Sequence, residues 1–232
     1  MARSDPFDRF IDEVLPADID KALLAQFRAL ARRVNLERGQ TSIKENGADQ
    51  IAFITAGSTK LVAHASRGRE QIVGFQFVGD LVCVPSDSAH AFTIIALENG
   101  ELLQFGANAF FDLAGQQTGL VIAMMERAHL SLAHCREKSI TLGRTSAAEK
   151  IAGFLLMMAD RIGAPNKSGS ALVLPMSRRD IADSLGLSIE TVSRQLTALR
   201  DEALIDVDGR SRIRLSDLSQ LNERAGNLPI NA

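Results

Sequence analysis

Apolar positions in residues 18 to 33, DIDKALLAQFRALARR, recur at helical spacing. This predicts a helix, with its basic residues at the end that a helix C-terminus favours. From about residue 34 to 105 the pattern changes to short β-branched and aromatic runs: IAFITAG, TKLVAHAS, QIVGFQFVGD and AFTIIAL. Turn-forming residues separate them at Asn46-Gly47, Ala56-Gly57-Ser58, Arg67-Gly68-Arg69, Gly79-Asp80 and Asn99-Gly100. That alternation predicts a small antiparallel barrel or roll.

The helical period returns over residues 117 to 142. Val121, Met125, Ala128, Leu132, Cys135, Ser139 and Leu142 follow alternating spacings of four and three, the pattern of a coiled-coil seam. A run of about seven turns is longer than a domain of this size needs, which favours a dimer helix. The alternative is a helix packed on the roll of its own chain.

Ser146-Ala147-Ala148-Glu149 is a capping box that opens a further helix through about Ile162, so Arg144 and Thr145 mark a boundary. GAPNKSGS, 163 to 170, reads as a loop and ALVLP, 171 to 175, as a short strand. Ser177 caps the next helix, with Asp180 three residues on and Ile181, Ala182 and Leu185 as its apolar face. Gly186 suits a tight turn that needs positive φ. Ser188 caps a second helix anchored by Val192, Leu196 and Leu199. Two short helices joined by such a turn form a helix-turn-helix unit. Leu204 to Val207, Asp208-Gly209 and Ile213 to Leu215 then predict a β-hairpin, or wing. The tail NERAGNLPINA, 222 to 232, reads as flexible.

Composition narrows the possible functions. The chain has 232 residues, enough for one or two domains. It lacks Trp and Tyr, so a stacking platform for single-stranded nucleic acid would rest on Phe and His. With 26 basic and 28 acidic residues, any nucleic-acid contact must use a local patch. Cys83 and Cys135 have neither metal-ligand spacing nor a disulfide framework, which points to a reducing compartment. No apolar run reaches spanning length, and MARSDPFDRF lacks the core of a signal peptide. The expectation is a soluble cytoplasmic protein with no membrane partner. No paired catalytic carboxylates, nucleophile motif or phosphate loop stands in recognisable context, so an enzyme is not expected.

SRRDIADSLGLSIETVSRQLTALRDEALI resembles the winged helix of the CRP/FNR superfamily of bacterial transcription regulators. GREQIVGFQFVGD, 68 to 80, is similar to that family's roll segment ending in Gly-Asp. The order of elements carries the resemblance over nearly the whole chain. It implies an α+β fold in three parts. Residues 1–116 would hold an N-terminal helix and an antiparallel β-roll of the cupin-like, cyclic-nucleotide-binding type. Residues 117–143 would form a dimerisation helix, with Val121, Met125, Ala128, Leu132, Cys135 and Leu142 in its seam. Residues 144–232 would be a winged helix-turn-helix DNA-binding domain. The implied partners are a second copy of the chain, a palindromic site on double-stranded DNA, and RNA polymerase.

In a reading helix, arginine donates to guanine O6 and N7, glutamate accepts from cytosine N4, and serine bonds either kind of edge. Glu190 and Arg194 are four apart and share a face, where they read as base contacts or as a surface ion pair. Ile189 before Glu190 and Ser193 before Arg194 resemble the FNR and FixK branch, which reads TTGA-type half-sites in an inverted repeat. That resemblance places Ile189 against a thymine methyl and Ser193 on a base of the TT step. Ser177, Arg178, Arg179, Ser188, Thr191, Arg210 and Arg212, with Arg214 beside them, are candidate backbone contacts or plain solvated side chains.

The nucleotide-binding members carry a Gly-Glu step followed by Arg-Ser or Arg-Thr. The corresponding stretch, GDLVCVPSDSAHAFTIIALENGE, has no such Gly-Glu, and no Arg or Lys falls between Arg69 and Arg127. A buried phosphate without a cation is hard to hold, so cyclic AMP is not expected. An FNR-type iron–sulfur cluster needs four thiolates or close substitutes, and the chain has two cysteines. No cofactor is expected; the alternative is a small molecule or haem in the roll. His64, His90, His129 and His134 fall in no haem motif. Cys83 reads as a core hydrophobe. Cys135 reads as a core thiol or, across a two-fold seam, as half of a redox-linked disulfide. Ser177 stands where some FixK-like proteins carry a redox-active cysteine.

Overall fold

The computed structural model describes residues 5–42, 47–86, 90–166, 169–209 and 211–227. The chain forms two compact units that divide between Ser131 and Leu132. In the first unit, α1 (Pro6–Val14) opens with Asp5 accepting from the Phe7 amide and Pro6 at the first helical position. Sequence reasoning passed over this helix. In α2 (Lys21–Leu30), Asp20 caps the amides of Ala22 and Leu23.

The expected helix over 18 to 33 is shorter than its apolar period suggested. Arg32 and Arg33 belong to β1 (Arg32–Leu36), not to a helix C-terminus. Cross-strand partners decide this. Arg32 donates to Gln104 Oε1 at 2.8 Å and Arg33 pairs with the Glu101 carboxylate. Both partners lie on β7 (Gly100–Gly106), which runs antiparallel to β1.

The remaining strands are β2 (Gln50–Ala56), β3 (Thr59–His64), β4 (Glu70–Gln76), β5 (Leu81–Val84) and β6 (Ala91–Ala96). They form two antiparallel sheets, ordered β1-β7-β2-β5 and β4-β3-β6. β2 reads as an unbroken apolar run because both its faces are covered. Ile51 and Phe53 join the core under α1 and α2, while Ala52 and Ile54 join Ile94, Ala96 and Leu102 in the second core.

Phe7, Phe10, Phe27, Phe53, Phe105 and Phe110 fill the helix-side core, six of the eleven phenylalanines. Phe110, on α3 (Ala107–Ala114), is fully buried, with its ring centroid 6.3, 5.3 and 5.2 Å from Phe10, Phe27 and Phe105. Edge-to-face packing adds to its burial. Phe110→Ala is expected to cost about 3–5 kcal/mol, read as a lower urea midpoint for this unit. A loss below about 1 kcal/mol would show that the cluster collapses onto the gap.

Cys83 is not a core residue: it is exposed on β5, an edge strand. It sits opposite Ile51 but beyond the cover that buries Ile51. Partial burial first, and then the Asp49 carboxylate, push its thiol pKa up, so it stays protonated at neutral pH.

α4 (Thr118–Gly143) is one continuous helix of 26 residues. Arg127 ties its first half down, donating to the Gly79 carbonyl at 3.1 Å and to the Glu13 carbonyl. All seven seam positions, Val121 to Leu142, are exposed, as are Ile122, Leu130 and Ile140. The uncovered apolar strip is therefore wider than the seam alone.

The second unit opens with α5 (Ala147–Ile162), whose Ser146–Glu149 capping box is formed. The expected loop at 163 to 170 contains β8 (Ala164–Asn166), paired with β9 (Gly169–Val173). α6 (Arg178–Leu185), α7 (Ile189–Asp201), β10 (Ile205–Asp208), β11 (Arg212–Leu215) and α8 (Leu218–Arg224) follow. The sheet order is β10-β11-β9-β8, so β9 backs the hairpin. The expected flexible tail is ordered through Asn227. Asn222 is buried within α8, and Asn227 accepts from Arg144. Residues 228–232 lie outside the described residues.

Candidate nucleic-acid interface

α6 and α7 meet at Gly186, whose φ of +65° is the left-handed conformation that glycine adopts without a Cβ penalty. Ser177 accepts from the Asp180 amide at 3.1 Å, and the Asp180 carboxylate accepts from the Ser177 amide at 2.8 Å. Ser188 caps α7 by accepting from the Thr191 amide at 3.1 Å. Each such cap is worth about 1 kcal/mol. Two of the candidate backbone-contacting serines are therefore also the residues that fix where the helices begin.

Val192, Leu196 and Leu199 bury one face of α7 against α6 and α5. Burying side chains of this size stabilises by about 1.5–3 kcal/mol each. Their burial turns the opposite face outward. Glu190 and Arg194 are exposed there, with Ile189, Thr191 and Ser193 partly exposed. Among the described residues, no ion pair joins Glu190 to Arg194. The Glu190 backbone N–H first, then the Ser188 side chain and the Arg179 charge, hold the Glu190 carboxyl below the ordinary carboxylate range. At neutral pH it is ionised and accepts only. One turn away, the guanidinium fork of Arg194 has no partner among the described residues.

The other candidates divide by their partners. Arg178 Nη1 donates to Ser193 Oγ at 3.2 Å. Arg179 is exposed. On the wing, Arg212 lies opposite Asp208 and Arg214 opposite Asp206, with ion-pair distances of 3.7 and 2.8 Å. Arg210 lies outside the described residues. Sequence reasoning missed the Arg178–Ser193 bond and both wing pairs. The wing pairs were legible, because an Asp-Gly hairpin sets residues on either side of the turn in register.

α7 ends in a Schellman motif, with Leu204 N–H bonded to Leu199 O and Ala203 N–H to Arg200 O. The left-handed position is Ala203, at φ +58°, where α6 uses glycine. Ala203→Gly is expected to stabilise this unit by about 0.5–1 kcal/mol, read by chemical unfolding. An unchanged or lower midpoint would mean that the alanine carries no strain.

Two capped helices crossing at a left-handed glycine, followed by a β-hairpin, define a winged helix-turn-helix module, a DNA-binding unit. Residues 149–224 match the Crp-like helix-turn-helix domain, and residues 33–117 match the cyclic nucleotide-binding domain. The chain is 35% identical over 192 residues to the nitrogen fixation regulation protein FixK of Bradyrhizobium diazoefficiens, covering 82% of this chain and 81% of that protein. It also aligns with the structure of FixK2 from Bradyrhizobium japonicum at a TM-score of 0.71 and 27% identity, over 83% of this chain and 96% of that one. A CooA mutant from Carboxydothermus hydrogenoformans shares the fold at a TM-score of 0.75 and 18% identity, over 93% and 95% of the two chains. The protein belongs to the CRP/FNR family of transcription regulators.

Proposed function

We propose that this regulator binds a TTGA-type inverted repeat as a homodimer and needs neither cyclic AMP nor an iron–sulfur cluster to do so. The observation that carries the proposal is the outward face of α7. There an ionised Glu190 and Arg194, without a partner among the described residues, stand one turn apart, each with the hydrogen-bonding character that base readout requires. Ile189 meets a thymine methyl, Ser193 a base of the TT step, and Arg194 the guanine. Ser177, Arg179, Ser188 and Thr191 approach phosphates, as do the wing arginines Arg212 and Arg214 once DNA displaces their aspartates. RNA polymerase and a cytoplasmic setting complete the proposal. The domain limits are those of the sequence: 1–116, 117–143 and 144–232.

Two features of the roll support independence from an internal effector. Between its sheets, among the described residues, Ser42, Gln50, Thr93 and Gln104, with apolar neighbours, line a cavity of about 10 Å³, room for about one water molecule. In a surface cleft of about 530 Å³ near α1, Asp5 and Glu101 are ion-paired with Arg28 and Arg33, and Arg9 with Glu13, so the arginines there already face carboxylates rather than a phosphate.

The test is a titration of purified, reduced protein, with no added ligand, against the inverted repeat and a scrambled duplex at one ionic strength. Tight binding to the repeat alone is expected. Equal binding to both duplexes would overturn the proposal.

A further inference from the structure

A serine hydroxyl carries one proton and two lone pairs, whereas an arginine guanidinium carries only donors. The contact from Arg178 Nη1 to Ser193 Oγ, 3.2 Å long, therefore occupies a lone pair of Ser193. The hydroxyl proton cannot return the bond. Two of the four other helical serines spend that proton on their own helix: Ser139 donates to the Cys135 carbonyl at 2.9 Å and Ser184 to the Ile181 carbonyl at 2.9 Å. Among the described residues, the Ser193 hydroxyl has no such bond, and its contact with Arg178 is the side chain's one hydrogen bond.

We infer that Arg178 sets the hydrogen-bond polarity of Ser193, leaving its proton to seek an acceptor on the DNA. Thymine O4 and cytosine N4 occupy the same place on the pyrimidine ring, one an acceptor and the other a donor. A guanidinium on the hydroxyl oxygen polarises it, so the free proton becomes a better donor and the remaining lone pair a weaker acceptor, which favours thymine. Arg178 is thus a positioning residue for specificity, reaching across from α6 to the reading face of α7. A phosphate contact from another of its N–H groups is compatible with this role. The inference rests on the proposal that α7 reads bases.

The experiment uses the full-length protein and the TTGA-type inverted repeat. Each thymine of the TT step is replaced in turn by 5-methylcytosine, opposite guanine and in both half-sites. This keeps the methyl group and exchanges O4 for an amino group on the pyrimidine, with the reverse exchange, amino group for O6, on the paired purine. Wild type is expected to prefer thymine about tenfold per half-site at one of the two positions. Ser193→Ala should lose that preference. Arg178→Ala should bring it to within about twofold of parity, while discrimination at the guanine facing Arg194 is unchanged. Arg178→Lys, still a pure donor, should keep most of the preference.

If Arg178→Ala weakens every duplex by the same factor, Arg178 is only a phosphate contact and the inference falls. If Ser193→Ala keeps the thymine preference, Ser193 is not the reader and the inference falls equally. A wild type that does not select the repeat over a scrambled duplex overturns the base-reading proposal itself, and the inference with it.

Discussion

Arg194→Ala is expected to cost about 1–3 kcal/mol of binding free energy per half-site and to relax discrimination at the guanine. The reason is geometric. Arg194 is held on the outward face of α7 by the burial of Val192, Leu196 and Leu199 behind it, and no acid of its own helix occupies its guanidinium. The whole fork is therefore available for a bidentate contact. In a two-fold complex the loss applies twice, so affinity for a palindrome should fall by about one to four orders of magnitude. Arg194→Lys should not rescue it, because a point charge replaces a planar fork. Competition binding against the four base pairs at the guanine position checks this. A variant that still discriminated fully there would show that Arg194 contacts the backbone alone.

The second large effect is expected from the long helix. Met125 is 68% and Leu132 48% exposed in the chain, on the same strip of α4. Replacing both by glutamate would set like charges against each other across a two-fold seam, where apolar burial should hold two copies together. Sedimentation should show a species of half the mass. Affinity for the inverted repeat should drop by about 100-fold or more, because each half-site is then bound without the effective concentration that linkage supplies. The single-chain melting temperature should barely change, since neither side chain is part of a core. If the double variant remained a dimer with full affinity, the strip would serve another purpose and the two-fold contact would lie elsewhere.

The reading unit was the most legible part of the sequence because its decisions are local. Ser177 and Ser188 start helices, Gly186 turns the chain between them, and Asp208-Gly209 turns the wing; each acts within a few residues of itself. The missed features depend on distant partners. α1 is the exception: Phe7, Phe10, Ile11 and Val14 keep helical spacing behind Asp5 and Pro6, so it was legible, although what holds it is a phenylalanine cluster contributed by five elements. Arg32 and Arg33 follow a helical period but are claimed by Gln104 and Glu101 on β7. Cys83 has an apolar neighbourhood in sequence, yet it lies on an edge strand beyond the helices. The tail through Asn227 looks polar and loose but is pinned by Arg144. The bond between Arg178 and Ser193 spans 15 residues and crosses between helices. No periodicity reports that kind of contact.

The paired wing has a consequence for how the protein finds its site. Asp206 and Asp208 offset the charge of Arg214 and Arg212, so with Arg210 the hairpin sequence carries one net positive charge rather than three. Where these pairs stay closed on arbitrary DNA, the wing itself displaces few counterions, and such sites should hold the protein more briefly. A chromosome offers about 10⁶–10⁹ of them, enough to sequester a strongly basic regulator. A near-neutral wing keeps more copies in transit, so a small number of molecules can survey the genome and still occupy a rare site.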